Sequence, residues 1–401
     1  MNKNIRTIKL YPFYNAFSAD LVFYISVDTL FLTYIKNLNA SQISFMSMFG
    51  LLMCIIFQKP VLKIAKKIGN CNSVRLGTFL LLVSTCVLTF SKTFYGLLIH
   101  RLLTELSFMF TSMVAIIIQN NLKKLTRTNE FVEIINRGKL YYGILTLFTT
   151  LIGGYLYNIN NYLPLYFSIG LLVIVTAMSF LFVDEEYSQD ISQESKEETK
   201  FKMPKHLIYA FLSSALYVAI FRIGQSNSKL FMQYDFLETL SYEKVTTYLT
   251  YIVFFSRIAR ILGNLFFTKI YHLLDVKVGN IFSISLFASF ALQVLGHYIN
   301  VFFIKVILLS IGYIIILTIR DPFQTYIDDV ELKNTPRNYR QQVIVNNEVY
   351  RKISQLIIYI SFTLILTKYE LVVTQIILTI LSLIEIFINY RMISLIKKVN
   401  D

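Results

Sequence analysis

The chain has 401 residues, of which 55% are hydrophobic and 15% charged, with a positive mean hydropathy. Soluble globular chains carry roughly 25% charged residues, so a set of ordinary soluble domains is excluded. The net charge of +14 does not indicate nucleic acid, because the Lys and Arg residues fall in short segments between apolar stretches, the pattern of membrane topology.

About twelve stretches approach the ~20 apolar residues needed to cross a hydrocarbon core ~30 Å thick. In chain order they cover residues 10–35, 41–63, 76–90, 94–119, 140–157 and 162–183, then 206–231, 244–267, 279–295, 298–319, 349–367 and 371–390. All six prolines (12, 60, 164, 204, 322 and 336) are placed near span ends or in loops, which predicts uninterrupted helices. A polar loop is expected from Arg320 to Asn347. The stretch DEEYSQDISQESKEETKFKMPK, residues 184–205, separates the sixth span from the seventh and reads as a hinge loop. The expected organisation is all-α: twelve transmembrane helices in two six-helix halves, residues 1–183 and 206–401.

Basic residues set the orientation. With the N-terminus inside, 28 Lys and Arg fall on the inner side and five (Lys36, Lys92, Lys229, Lys244, Lys368) on the outer. Both termini and the hinge are therefore expected in the cytoplasm. The halves also repeat each other. Lys67-Ile68, Val74-Arg75 and Gly77 recur as Lys269-Ile270, Val276-Lys277 and Gly279, while Arg101 corresponds to Lys305. A nearly constant offset of this kind marks a duplicated unit.

Twelve spans, a charged central loop, inward termini and two parallel halves resemble the major facilitator superfamily of secondary transporters. The family's loop between spans 2 and 3 reads G-x-x-x-D-R-x-G-R-R; here Leu62–Cys71 reads LKIAKKIGNC, keeping Gly69 and the basic Lys67, with Lys66 at the acidic position. Arg101 matches an arginine common in span 4 of proton-coupled members, with Glu105 at a position usually glycine. The exporter motif G-P-x-x-G-G survives as Thr149–Gly154, TTLIGG. The resemblance implies alternating access about a mid-membrane site between the halves, and Lys66, Lys67 and Gly69 as the conformational loop.

Ionisable groups inside spans are costly, by roughly 2.5–3.5 kcal/mol each on insertion scales, and usually face a cavity or a partner. In the first half these are Asp20, Asp28, Arg101 and Glu105. At ~1.5 Å per residue, Asp20 lies about 15 Å from the inner end of its span and Glu105 about 16 Å from the outer end of its own. Asp28 and Arg101 share the outer half, so they can pair. Asp20, Asp28 and Glu105 are the proton-coupling candidates, since a buried carboxylate can exchange a proton; the alternative is that the acids only neutralise Arg101. The second half is mostly cationic: Arg222, Arg257, Arg260 and Lys305, with Gln225 and Glu385. Together with Arg101 these are the substrate-binding candidates, and arginines suit a carboxylate or phosphate. The alternative is that Arg222 and Arg260 snorkel to the interfaces.

The three cysteines, Cys54, Cys71 and Cys86, form no metal-ligand or redox spacing, and there is no HExxH or P-loop motif. An enzyme is not expected, nor a cofactor or a bound metal. The reading is a secondary transporter of a small anionic or zwitterionic solute, proton-coupled, functional as a monomer in a cell membrane. The alternative is a transporter-like sensor or partner subunit without transport. Asn-, Ile- and Lys-rich usage with no Trp fits an AT-rich bacterial genome.

Overall fold

The computed structural model describes residues 3–127, 130–184, 204–333, 335 and 340–400. Most of the predicted hinge, residues 185–203, lies outside the described residues. The described residues form helices joined by short turns, with no strand among them. They divide into two compact units: residues 1–38 with 46–198, and residues 39–45 with 199–401.

The first unit contains α1 (Lys3–Ser18), the single turn α2 (Asp28–Leu30) continued by a π-helical turn (Phe31–Ile35), and most of α3 (Ala40–Ile68). It continues with α4 (Asn70–Phe90), α5 (Phe94–Thr111), α6 (Val114–Lys124), α7 (Phe131–Ile159) and α8 (Leu163–Ser179). The second unit contains α9 (Lys205–Leu237), α10 (Tyr242–Leu274), α11 (Val278–His297), α12 (Phe302–Lys333), α13 (Arg340–Ile365) and α14 (Leu371–Asn400).

Every predicted span but the first falls mainly on helix, with α5 and α6 together forming the fourth. Among the described residues nine helical segments are long and apolar enough to cross a membrane. The other three predicted spans depart for local reasons. The first is interrupted, α8 has only 17 residues, and α13 opens on the polar run RQQVIVNNEVYRK.

Three expectations are corrected. The loop predicted from Arg320 to Asn347 is largely helical, because α12 continues to Lys333 and α13 begins at Arg340. Pro12, Pro60 and Pro322 lie inside α1, α3 and α12 rather than at ends. Helices packed in a membrane protein tolerate proline because neighbours re-satisfy the freed carbonyl. Span 1 is not one helix. Between Ser18 and Asp28 the chain makes successive turns, closed by Tyr24 N donating to Leu21 O (2.8 Å) and Val27 N to Tyr24 O (3.0 Å).

The turn segment is held against α7. Ser26 Oγ donates to Thr150 O (3.1 Å), and the missing Cβ of Gly153 leaves room for the carbonyl of Phe23. The surviving glycine pair thus has a physical use in this chain. Gly153→Ala is expected to destabilise the protein by about 1–3 kcal/mol, as overpacking does. Gly170→Ala, where nothing lies within 4 Å of the added carbon, is expected to stabilise by about 0.5–1 kcal/mol through helix propensity. Thermal unfolding of the two variants reads both signs.

The first unit's core gathers Tyr11, Tyr14, Val74, Ile117 and Phe182; the second's gathers Tyr217, Phe282, Phe290, Phe323, Tyr326 and Phe362. At one end of the first unit Lys36 Nζ donates to Thr89 O (2.9 Å) and Ser91 O (2.6 Å), satisfying carbonyls at the end of α4. Burial there holds the Lys36 amine below its ordinary range.

Candidate functional site

In the first unit span 1 breaks at the level of Asp20. Leu21 N donates to Asp20 Oδ1 (2.8 Å), and Tyr142 OH on α7 donates to Oδ2 (3.5 Å). Asp28 opens α2, where its Oδ1 accepts from Thr29 N (2.6 Å). Arg101 is paired with Glu105, its neighbour one turn along α5, at 2.7 Å. Gly50 on α3 leaves the space that the Arg101 side chain occupies.

Below this pair lies a polar knot the sequence reading did not single out. Ser84 Oγ on α4 meets His100 Nδ1 (2.8 Å) and Thr104 Oγ1 (2.7 Å) on α5, all buried. Its signal was a Ser on one helix and His and Thr at i, i+4 on the next. Nothing in that spacing separates it from ordinary polar residues.

The conformational loop sits between α3 and α4. Lys66 and Lys67 are exposed in the last turn of α3, where cations oppose the helix dipole. Gly69 joins the two helices at φ 82°, a left-handed conformation that glycine adopts without strain. Asn70, at a position usually arginine, donates from Nδ2 to Asp184 Oδ2 (2.7 Å), and Asn120 Nδ2 reaches Oδ1 (3.1 Å). The first residue of the predicted hinge is therefore anchored to the first unit.

The second unit holds the denser charge. α9, α12 and α13 enclose a cavity of ≈ 240 Å³ lined by Arg222, Arg320, Asp321, Gln324 and Arg351, with aromatic Tyr217 and Phe221. Arg222 is near the middle of α9, and its Nη1 lies 3.5 Å from Gln355 Oε1. Arg351 donates from Nε to Ser214 Oγ (2.6 Å) and from Nη2 to Asp328 Oδ1 (3.3 Å). Arg320 Nε lies 3.6 Å from Asp321 Oδ1. Asp321 is further gripped by Arg260 on α10, Nε to Oδ2 at 2.7 Å and Nη2 to Oδ1 at 3.1 Å, and by Asn264 Nδ2 (3.1 Å).

Arg257 differs from these. It lies near the middle of α10, is 5% exposed, and its Nε is buried with no hydrogen-bond partner among the described residues. No ion pair is recorded for it there either. Burying a charge without a partner costs several kcal/mol.

The remaining candidates are placed elsewhere. Lys305 belongs to an end cluster, 3.9 Å from Asp235 Oδ2 and 3.6 Å from Glu238 Oε2, where His297 Nδ1 also meets Asp235 Oδ1 at 2.9 Å. Glu385 is fully buried in the core of the second unit and accepts from Ser213 Oγ (2.8 Å). Gln225 is half-buried, one turn from Arg222. The second unit thus brings Arg222 into one cavity and ties Arg260 to it through Asp321. Arg320 and Asp321 are not sequence candidates because a charged pair followed by Pro322 reads as the end of a span, and Arg351 is not one because it reads as an inner-end charge of the eleventh span.

A family model described as the Major Facilitator Superfamily matches residues 13–344. Solved structures share the fold at low identity. That of the nucleoside transporter NupG is 12% identical, with a TM-score of 0.74, covering 98% of this chain and 99% of that one. That of the D-xylose-proton symporter is 11% identical, with a TM-score of 0.69 and coverage of 97% and 98%. That of a bacterial homologue of the iron transporter ferroportin is 11% identical, with a TM-score of 0.64 and coverage of 97% and 98%. No curated protein matches the chain by sequence.

Proposed function

Because the chain belongs to the Major Facilitator Superfamily, we propose that it carries a small anionic or zwitterionic solute across the membrane by alternating access. The observation that carries this reading is Arg257, a buried mid-helix cation without a partner among the described residues. An incoming carboxylate or phosphate supplies the missing charge, and a guanidinium suits it through paired N–H donors. The cavity lined by Arg222, Arg320 and Arg351 around one acid, Asp321, supports the same preference. Its small volume, ≈ 240 Å³, suits a solute of modest size.

The coupling ion is proposed to be a proton carried by Asp20 or Glu105. Asp20 lies where span 1 is broken, within reach of the Tyr142 hydroxyl, while Glu105 is paired with Arg101 at 2.7 Å. The termini are placed in the cytoplasm on the strength of the basic residues. Uptake into proteoliposomes, with and without a pH gradient and across a panel of small carboxylates and phosphates, tests the proposal. Asp20→Asn and Glu105→Gln are expected to separate the roles: the variant that removes the coupling acid keeps downhill exchange but loses accumulation. Full pH-driven accumulation in both variants defeats the proton assignment. Silence across the whole panel favours the reading in which the fold serves as a sensor or partner subunit.

A further inference from the structure

The solute reading leaves the buried acid Glu385 without a task. Glu385 lies on α14 and is 0% exposed. Its Oε1 accepts from Ser213 Oγ on α9 at 2.8 Å, and its Oε2 is buried with no hydrogen-bond partner among the described residues. The groups that face it are neutral: Ser213 and the Tyr217 phenol on α9, Ser283 on α11 and the Tyr326 phenol on α12. No Lys, Arg or His forms an ion pair with it among the described residues. A carboxyl kept in such a place through an entire helix–helix interface is an expensive residue to use for packing alone.

Its surroundings differ in the two directions along the helices. Seven residues from Ser213, Ser283 and Glu385, toward the end of the unit far from the C-terminus, stand Ile220, Phe290 and Leu378. All three are 0% exposed and belong to one apolar cluster. In the opposite direction apolar residues continue, with Met392 and Val278 buried in the same cluster, but a polar pair runs among them. Asn389 lies four residues on, on the same face of α14, and is fully buried. Its Oδ1 has no hydrogen-bond partner among the described residues, and its Nδ2 donates to Asn280 Oδ1 at 3.1 Å. Asn280 is half-buried at the start of α11. Gly279, beside it, lacks the Cβ that would collide with Tyr326 Oη and lie 2.9 Å from Asn389 Oδ1.

We infer that Glu385 is a proton-binding site of the second unit, reached from the C-terminal side through Asn389 and Asn280. A proton enters from water at that end and adds to the Glu385 carboxylate to give the acid; it leaves by the same route. No charge crosses the unit, so the site is distinct from solute coupling and answers to the pH on one face of the membrane. Its action is on the packing of α14 against α9 and α11, since the acid fits a neutral seam and the carboxylate does not. The inference stands whether or not the solute reading does.

Infrared difference spectra between acid and alkaline buffer, on the full-length protein in liposomes, test it. A carboxyl C=O band is expected in the native protein, lost in Glu385→Gln and shifted in Glu385→Asp; the second variant keeps the acid if the first fails to fold. Asn389→Leu is expected to slow hydrogen–deuterium exchange of that band by about tenfold, the rate equivalent of about 1.4 kcal/mol of lost hydrogen bonding. Gln375→Leu, on the same helix beyond the apolar barrier, is expected to leave the exchange rate unchanged. A band unaffected by both Glu385 substitutions overturns the site. Exchange that is slowed by Gln375→Leu, or untouched by Asn389→Leu, overturns the route.

Discussion

Arg257→Met is expected to have two effects of opposite sign: solute binding is lost, while the empty protein becomes more stable. The empty protein bears a guanidinium at 5% exposure with its Nε unsatisfied. Replacing buried charge by a well-packed apolar side chain is stabilising by about 1–4 kcal/mol in comparable settings. The same replacement removes the charge that meets the solute. Truncating one partner of a buried, hydrogen-bonded pair costs about 2–5 kcal/mol, or roughly 30- to several-thousand-fold in Kd. Arg257→Lys keeps the charge without the planar fork, so its affinity is expected to fall between the two. Thermal unfolding with and without each member of the carboxylate and phosphate panel reads both quantities in one experiment. A variant that binds as the native protein does, or one that is destabilised in the empty state, counts against Arg257 as the solute's anchor. The opposite signs matter, because a purely structural arginine would lower stability and leave binding to fall only as a by-product.

The contrast between Arg257 and its neighbours shows what the sequence could and could not reveal. The helices were legible, because 20-residue apolar runs have few alternatives in water. The charged residues inside them were legible too, as exceptions to that rule. Their partners were not. Arg257 and Arg260 are three residues apart on α10, yet Arg260 is committed to Asp321 by two hydrogen bonds and Arg257 is not. Asp321 was hidden because charge followed by proline ordinarily ends an apolar run. In this chain α12 continues through Pro322 for three more turns to Lys333, so Arg320 and Asp321 lie within a helix and line a cavity. Lys305 and Arg101 matched in the presumed duplication but diverge in environment: Arg101 pairs within its own helix, and Lys305 joins an acidic pair with His297 nearby. The break in span 1 left a fainter trace. Its residues, Ala19 to Val27, are as apolar as a helix would require; only the glycine pair on α7 hinted at a close backbone approach, and a glycine pair alone does not say what approaches.

The Arg260–Asp321 pair leads to the second large effect. Asp321→Ala is expected to destabilise the second unit by about 2–3 kcal/mol, less than the 3–5 kcal/mol of a fully buried broken pair. The discount follows from exposure, since the two side chains are 19% and 33% exposed. The loss is large for a single carboxylate because Asp321 serves three donors: Arg260 in bidentate fashion, Asn264, and more distantly Arg320. Removing it leaves the Arg260 guanidinium without its carboxylate and cuts the tie between α10 and α12. Arg260→Met alone should cost about as much, because Asp321 then faces α10 without its main partner. The double variant Arg260→Met with Asp321→Leu removes both charges together. It is expected to recover about 1–3 kcal/mol relative to the sum of the single changes, and the net charge of the protein is preserved. Denaturation of the four proteins closes the cycle. Additive losses would mean that the pair is not a unit and that Asp321 is held chiefly by Asn264 and Arg320. Recovery in the double variant would identify the pair as the staple that keeps the Arg257-bearing helix beside the cavity.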